Sequence, residues 1–188
     1  MRSDGPPVEI RRVCADEGLR LRALRLRALA EAPMAFGSTL VREQAFPEST
    51  WHERAAGGAS GSDRATFVAE ESGRFVGMAT GVARHPDDPD HSPMLIGMFV
   101  DSTQRGRGVG VALVDSVTEW ARTLGAQDLY LWATSTNRPA IALYGKCGFR
   151  QTGEARPLEH TPSLHEVLMK RSLRRENQPM TSVSMRHV

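Results

Sequence analysis

The stretch from Gln104 to Gly110, QRGRGVG, combines two arginines and three glycines within seven residues. It lies between an apolar run, MLIGMFV at 94–100, and a helical pattern that begins near Gly108. The first N–H groups of a helix have no partner inside the helix, and the helix dipole makes that end positive. Because glycines let an anion approach the backbone closely, this arrangement predicts a site for a diphosphate.

The spacing of the loop differs from both common nucleotide-binding loops. A Walker loop ends in Gly-Lys-Ser or Gly-Lys-Thr, which is absent here. The dinucleotide fingerprint Gly-x-Gly-x-x-Gly fails because Val111 or Leu113 stands at its last position. The pattern that fits is Arg105-x-x-Gly108-x-Gly110. For this loop considered alone, a tight turn without a ligand is an alternative.

Regular elements must hold this loop, and hydrophobic periodicity predicts them along the chain. Strands are predicted at 8–13, 65–71, 74–85, 94–100, 128–134, 150–154 and 165–173. Helices are predicted over 15–33, from a cap at Ser49 or Thr50 to a flexible break at 57–63, over 108–124, and over 138–149. The helix 108–124 should bury a stripe of Leu113, Val117, Trp120 and Leu124, and strand 94–100 should be buried on both faces.

The composition is that of a soluble globular protein of 188 residues, with 40% hydrophobic and 24% charged residues. A net charge of +2 gives no reason to expect nucleic acid or a membrane surface as a partner. The sequence has no signal-peptide pattern and no apolar run of about 20 residues, and its two cysteines lack metal or disulfide spacing. We therefore expect one cytoplasmic domain over 8–173, no metal, and a mobile tail at 174–188.

A second motif follows the loop after about thirty residues, with Asn137, Ala140, Leu143-Tyr144 and Gly148-Phe149. Together with the loop motif Gln/Arg-x-x-Gly-x-Gly/Ala, this N…A…LY…GF pattern resembles the GNAT superfamily of N-acetyltransferases. The likeness covers the region from the fourth to the sixth strand, and the order of elements over 8–173 agrees with it. The resemblance implies an α/β (α+β) fold. Its mixed, mostly antiparallel sheet splays open between strands 4 and 5, with about four helices around it.

In this family acetyl-coenzyme A (acetyl-CoA) lies in the gap between strands 4 and 5, and the resemblance transfers its contacts to this chain. The pantetheine is expected beside the main chain of Met98, Phe99 and Val100, where an N–H group would polarise the thioester carbonyl. The implied reaction is direct transfer of the acetyl group to a primary amine, without a covalent enzyme intermediate. The pyrophosphate is expected on the backbone N–H groups of Arg105, Gly106, Arg107, Gly108, Val109 and Gly110.

The second motif carries the implied catalytic residue. The resemblance assigns Tyr144 as the acid that protonates the leaving thiolate, whereas packing on the sheet is the alternative. Asn137 is expected to contact the coenzyme or to cap the following helix. Lys146 is expected to meet a coenzyme phosphate or to lie in solvent. Cys147 is expected to be a small buried residue rather than a nucleophile.

The sequence departs from the family at Ile96, where many members carry the glutamate that deprotonates the amine. The general base is therefore left open. Several acidic and histidine residues are candidates, although each is equally well explained as a solvated surface group. The loop HPDDPDH is interpreted as a polar hairpin rather than a metal site. The candidate bases are Glu70, Glu71, Asp87, Asp88, Asp90, His91, Glu154, Glu159, His160, His165 and Glu166.

The acceptor pocket is expected between the first two helices, their connection and the loop between the last two strands. Its candidate lining residues, which core packing or solvation explains equally well, are Phe36, Phe46, Trp51, Arg27 and Arg42. The absence of peptide-binding modules favours a small-molecule amine over a peptide. The alternatives are a protein N-terminus or lysine acetyltransferase, a non-catalytic CoA-binding sensor on the same fold, and a nucleotide-binding protein. A homodimer is possible on family grounds.

Overall fold

The computed structural model of the chain describes residues 6–174. The strands are β1 (Glu9–Arg12), β2 (Arg64–Glu71), β3 (Arg74–Val82), β4 (Met94–Val100), β5 (Asp128–Thr134), β6 (Arg150–Leu158) and β7 (Thr161–Ser172). The helices are α1 (Gly18–Glu31), α2 (Leu40–Gln44), α3 (Glu48–Ser60), α4 (Val109–Thr123) and α5 (Arg138–Lys146), with 3-10 turns at Pro33–Ala35 and Ser102–Gln104. The predicted tail at 174–188 lies outside the described residues, apart from Arg174.

One seven-stranded sheet, in the order β1-β2-β3-β4-β5-β7-β6, organises the described residues. Every neighbouring pair of strands is antiparallel except β4 and β5. That parallel pair is aligned at Met94 and Tyr130, where the Tyr130 amide donates to the Pro93 carbonyl at 3.0 Å. Beyond this point the two strands separate, which confirms the mixed sheet that splays between strands 4 and 5.

Helices cover both faces of the sheet and divide the core in two. We call the side covered by α4 and α5 the α4 face, where Leu113 and Val117 of α4 are buried together with Leu129 of β5. The opposite side, covered by α1 and α3, is the α1 face, where Leu24 is buried together with Phe99. Successive side chains of a strand point to opposite faces, so each face collects alternate residues.

This alternation places the side chains of β5. Leu129, Leu131 and Ala133 belong to the core on the α4 face. Tyr130 and Trp132 therefore point to the α1 face. So does Thr134, whose hydroxyl donates to the carbonyl of Met34 in the 3-10 turn at 2.6 Å.

Two predictions about α3 are wrong. The helix begins at Glu48 after an extended Pro47, so Ser49 and Thr50 lie within it and neither caps it. It also continues to Ser60 through the predicted flexible break. At Gly58 a Cβ atom would lie 2.6 Å from the Thr66 hydroxyl oxygen, so this glycine permits close packing on β2 instead of ending the helix.

Other differences are at boundaries and in burial. Leu124 follows the end of α4 and is 39% exposed, unlike the rest of its predicted stripe. β4 is buried on both faces only in part, because the gap beside β5 leaves Ile96 and Met98 half-buried. The β6–β7 hairpin extends through most of the predicted loop, and α2 was not predicted.

Candidate functional site

The glycine loop ends as the N-terminus of α4. Gly108 is the residue before the helix, with a φ of 83°, and Gly106 has a φ of 80°. This left-handed conformation favours glycine over every residue with a Cβ atom. Among the described residues, the amides of Val109, Gly110 and Val111 have no hydrogen-bond acceptor. The loop thus presents unpaired N–H groups at the positive end of a fifteen-residue helix, as an anion site requires.

Gly110 is favoured for a different reason. A Cβ atom there would lie 3.0 Å from Cδ2 of Leu143 on α5 and 3.4 Å from Cε of Met98 on β4. The missing side chain therefore lets α4 pack closely against α5 and β4 at Gly110.

The two arginines of the loop have different surroundings. Arg107 donates to Glu71 at 2.8 Å, to the side chain of Gln104 and to the Pro6 carbonyl. Its charge is therefore balanced by the carboxylate, and its contacts hold the loop against the end of β2. Arg105 is exposed, donates to the Val100 carbonyl at 3.1 Å, and has no acidic partner among the described residues.

A β-bulge interrupts β4 beside the gap. Met78 pairs with Phe99 and Thr80 with Ile96, so one residue of β3 lies opposite two residues of β4. The two residues of β4 at the bulge are Gly97 and Met98, and the φ of Gly97 is 64°. A bulge leaves backbone groups without ladder partners. On its other edge, β4 is aligned with β5 at Met94, so the backbone at 97–99 is open to a bound molecule in the gap.

Tyr144 lies on α5 in the core of the α4 face, where it is 7% exposed. Its ring packs edge-on against Phe149, with the centroids 5.9 Å apart. Burial, with a smaller effect from the neighbouring Cys147, raises the pKa of Tyr144 above its ordinary value. The hydroxyl therefore stays protonated at physiological pH, and among the described residues it makes no hydrogen bond.

The neighbours of Tyr144 on α5 are placed as the sequence suggested. The side-chain oxygen of Asn137 accepts from the Ala140 amide at 3.2 Å, which confirms the capping role. Cys147 is buried, and burial raises the pKa of its thiol, which is unfavourable for a nucleophile. Lys146 is exposed. A cleft of about 260 Å³ lies beside Asn137, and its other walls are Thr134, Thr136 and the segment 32–35.

The aromatic residues predicted for the acceptor pocket are covered by arginines. The Arg25 guanidinium lies 4.5 Å from the centroid of the Phe36 ring. Arg54 lies 5.0 Å from the ring centroid of Phe46 and 4.8 Å from that of Trp51. These rings therefore serve the packing between α1, α2 and α3.

Glu43, which the sequence analysis did not single out, joins these two arginines. Its side chain is 2% exposed and accepts from Arg25 at 2.7 Å and from Arg54 at 3.1 Å. Burial opposes its ionisation, but the two arginines outweigh burial and lower the pKa of Glu43. A glutamate within a short polar helix carries no sequence feature that distinguishes it from a solvated one.

The two arginines proposed to receive a carboxylate differ in their partners. Arg27 donates to both carboxylate oxygens of Asp101, at 3.0 and 3.2 Å, and to the Phe75 carbonyl. Asp101 is 4% exposed and comes directly before the loop, so this ion pair ties α1 to the end of β4. Arg42 is exposed on α2.

The candidate bases fall into three groups. Glu70 is paired with Arg11 and Arg20, and Glu71 with Arg107. Asp88 and His91 meet each other on the α1 face beside Trp132, a residue that the sequence analysis did not single out. The remaining candidates lie in the 85–92 loop or along the β6–β7 hairpin, and they are Asp87, Asp90, Glu154, Glu159, His160, His165 and Glu166.

Residues 6–174 contain neither a metal-type cluster nor a membrane-spanning helix. No group of three or more His, Cys, Asp or Glu side chains comes together there as a metal site would require. No helix in that range is long and apolar enough to cross a membrane.

The family is decided by a match between residues 26–149 and the model of the acetyltransferase (GNAT) family. This range holds the glycine loop, the bulge, the gap and Tyr144. The chain belongs to the GNAT family. Its membership confirms the resemblance that the two sequence motifs suggested.

Individual relatives agree with this assignment. N-acetyltransferase 8 of Rattus norvegicus is 34% identical over 97 residues, which are 50% of this chain and 44% of that protein. The GNAT chain described here thus spans less than half the length of the curated relatives it matches. A Streptococcus pneumoniae GNAT acetyltransferase superposes with a TM-score of 0.72 at 22% identity, covering 88% of this chain and 99% of that one. Salmonella typhimurium YncA, solved with its cofactor acetyl-CoA, gives 0.71 at 18% identity, covering 93% and 99%.

Proposed function

We propose that this GNAT protein binds acetyl-CoA in the gap between β4 and β5 and transfers the acetyl group to a primary amine of a small molecule. The observation that carries the proposal is the gap itself. One edge of it is the β4 bulge, and beyond the end of β4 lies the N-terminus of α4 with its unpaired amides. The acetyl-CoA bound to YncA supports the choice of ligand.

The residues around the gap fit the chemistry of acetyl-CoA. The loop from Arg105 to Gly110 suits its pyrophosphate, because the amides of Val109 and Gly110 are unpaired and the exposed Arg105 guanidinium adds a positive charge. The amides of Arg105 and Arg107 donate to the carbonyls of Ser102 and Gln104 and would have to exchange these acceptors for the phosphates. The main chain of Met98, Phe99 and Val100 suits the amide groups of the pantetheine arm, which would extend β4 as a further strand does. We also assign Asn137 to coenzyme contact, in addition to its role as a helix cap, because it lines a cleft with Thr134 at the end of β5.

When bound, acetyl-CoA supplies a thioester, whose carbonyl carbon is attacked by the amine. The protein's part is to hold the two reactants together and to stabilise the charges that develop. An amide of the bulge at 97–99 donates to the carbonyl oxygen as it becomes negative. No covalent bond to the protein is needed, which agrees with the burial of Cys147.

Tyr144 assists the departure of the sulfur. Because its pKa is raised, its hydroxyl is protonated and can donate a hydrogen bond to a leaving thiolate. Thiols titrate near pH 8.5, so the same raised pKa opposes complete proton transfer from tyrosine to sulfur. We infer that Tyr144 acts mainly by stabilising the negative sulfur until a proton arrives.

The test is thiol release from acetyl-CoA in the presence of amino acids, polyamines, aminoglycosides, peptidic antibiotics and N-terminal peptides, each supplied separately. We expect release with one small-molecule class. Release with the peptides alone would instead favour a protein acetyltransferase. Binding of CoA without release in any reaction would favour the sensor.

ATP binding that CoA does not compete away would contradict the proposal at the level of the ligand. It would favour a nucleotide-binding protein.

A further inference from the structure

A histidine and a carboxylate pair lies on the α1 face, outside the residues assigned above. Nδ1 of His91 is 2.7 Å from Oδ1 of Asp88. The second oxygen, Oδ2 of Asp88, accepts from the indole N–H of Trp132 at 2.7 Å. Burial opposes the ionisation of Asp88, but these two hydrogen bonds outweigh it and lower the pKa of Asp88. The carboxylate is therefore ionised and held in one orientation.

The loop that carries the pair is fixed by its own hydrogen bonds. The Ser92 hydroxyl accepts from the His85 amide at 3.0 Å and donates to the Asp88 carbonyl at 3.3 Å. The imidazole of His91 lies against β5, with its centroid 5.4 Å from that of Tyr130 and 6.3 Å from that of Trp132.

The strand register places this pair at the mouth of the gap. Met94 of β4 is aligned with Tyr130 of β5, and both strands run in the same direction. Ile96 and Trp132 lie two residues further along their strands, on the α1 face, where the strands begin to separate. The β4 side chains on this face, Met94, Ile96 and Phe99, carry no titratable proton acceptor. His91 reaches the same place from the loop.

The hydrogen bond to Asp88 determines which nitrogen of His91 is free. An ionised carboxylate only accepts, so Nδ1 must carry the proton. In the neutral imidazole Nε2 is then an acceptor. The side chain is 25% exposed, and Nε2 is the ring nitrogen that Asp88 does not engage.

We propose, on the basis of the acetyltransferase function proposed above, that His91 is the general base that deprotonates the acceptor amine and that Asp88 positions it. Alkyl amines are ammonium ions near neutral pH and cannot attack until they lose a proton. Nε2 of His91 takes a proton from the acceptor nitrogen. The N–C bond to the acetyl group then forms, and the C–S bond breaks with its electron pair on sulfur. The nitrogen still carries two protons after the attack; it gives one of them, directly or through water, to the thiolate, and His91 returns its own proton to solvent.

The charged groups around His91 suit this role. Besides Asp88 on its own loop, Glu154 of β6 lies 3.6 Å from Nε2, where its negative charge attracts an ammonium ion. Arg156 of β6 lies 3.7 Å from Asp88 and is held by Glu166 of β7 at 3.1 Å. Tyr130 is the titratable group that faces His91 from β5. These contacts place more negative than positive charge beside the imidazole.

The test compares wild type with His91→Gln, using the amine that wild type acetylates and following kcat against pH. We expect wild-type kcat to reach a plateau above neutral pH. In His91→Gln, kcat should fall by about 100- to 10,000-fold at pH 7 and then keep rising with pH towards the pKa of the amine. His52→Gln, the same change at an exposed histidine of α3, should keep the wild-type profile.

Asp88→Asn tests the positioning role. It should lower kcat and shift the midpoint of the pH profile, while the Kd of CoA stays unchanged.

The outcomes separate the two proposals. A His91→Gln variant with the wild-type pH profile would overturn the assignment of the base alone. A wild type that binds CoA and acetylates no amine would overturn the acetyltransferase function, and the base with it. A loss of CoA binding in His91→Gln would show a structural role and would also overturn the assignment.

Discussion

At the scale of single residues, the three glycines of the loop are needed for two physical reasons. Gly106 and Gly108 adopt positive φ values, which only the absence of a Cβ atom makes inexpensive. Gly110 has ordinary backbone angles but lies so close to Leu143 and Met98 that a Cβ atom would require these side chains to shift by a few tenths of an ångström. The three glycines of the motif therefore serve two purposes. Gly106 and Gly108 allow the turn, and Gly110 allows close packing.

Gly108→Asp is expected to abolish CoA binding. The change adds a negative charge at the N-terminus of α4, where the pyrophosphate is proposed to bind, and it strains a residue with a φ of 83°. Isothermal titration with CoA measures the effect.

Gly125→Asp is the matched control. Gly125 has a φ of 73° and follows α4 at its other end. This variant should lose stability to a similar degree and bind CoA as wild type does. Unchanged CoA affinity in Gly108→Asp would contradict the assignment of the loop.

Tyr144→Phe is expected to lower kcat by about 10- to 1,000-fold and to leave the Kd of CoA unchanged. The change removes one oxygen that makes no hydrogen bond among the described residues, so the packing against Phe149 should persist. Thiol release under saturating acetyl-CoA measures the effect. A variant with near-wild-type kcat would show that Tyr144 is a packing residue.

At the scale of elements, side chains remote in sequence hold the loop in place. Arg27 of α1 and Arg74 of β3 both pair with Asp101, which follows β4 and precedes the 3-10 turn that leads into the loop. Glu71 of β2 holds the loop from the other side through Arg107. The position of the anion site is thus set by α1, β2 and β3 as well as by the strand and helix that flank it.

Arg27→Met should lower the free energy of unfolding by about 2–3 kcal/mol, since it leaves the buried Asp101 with one exposed partner. CoA should also bind more weakly, because Asp101 precedes the loop. Urea unfolding and CoA titration measure the two effects. Arg42→Met, on an exposed arginine, should change stability by less than about 0.5 kcal/mol. Equal effects in both variants would contradict the inference that Arg27 stabilises the protein and the loop by pairing with Asp101.

The junction between β1 and α1 should lose stability in acid. Hydrogen bonds from Arg11, opposed by burial, lower the pKa of Glu17 from 4.5 to about 2. A carboxylate whose pKa is lowered on folding stabilises the protein. This stabilisation is complete at a pH above the pKa of the unfolded chain and is lost as the pH falls through the pKa of the folded protein. We expect Glu17 to account for a loss of about 1–2 kcal/mol between these limits, after allowance for solvent screening.

The free energy of unfolding in urea is measured at a pH above the ordinary pKa of Glu17 and at a pH near its folded pKa, in wild type and in Glu17→Gln. The difference between the two proteins gives that contribution. The variant should lose less stability than wild type on acidification. An equal loss in the two proteins would show that Glu17 does not carry the effect.

At the scale of the whole molecule, the sheet has a weak seam. Strands β1 to β4 and strands β5 to β7 are joined at one aligned pair, Met94 with Tyr130, in the described part of the chain. A ligand in the gap would bridge the two halves by touching β4, α4 and α5 together.

CoA at about 100 times its Kd should add about 2.7 kcal/mol of stability and raise Tm by about 5–10 °C. Hydrogen exchange should slow at the amides of 97–100 and 105–111 and stay unchanged in β1. Protection confined to other segments would contradict the proposed placement of the ligand.

Much of the fold could be predicted from the sequence, because local patterns determine it. Apolar runs and alternation predicted all seven strands, and helical spacing predicted α1, α3, α4 and α5. Asn137 was recognised as a possible cap within its motif. Boundaries were less certain, since propensity does not reveal packing. Gly58 was interpreted as a break, but contact with Thr66 makes it a helix residue. The β6–β7 hairpin was underestimated because pairing between strands offsets the weak strand preference of its polar residues.

The sequence by itself determined the family, the glycine loop and Tyr144, because these depend on residue types at fixed short spacings. Only the tertiary structure decided the partners of the charged residues. It paired Arg27 with Asp101, and it brought His91 and Asp88 against Trp132, which lies more than forty positions beyond Asp88 in the chain. A charge in the sequence looks the same whether it is solvated or paired. Its partner depends on how strands and helices far apart in the chain are packed together.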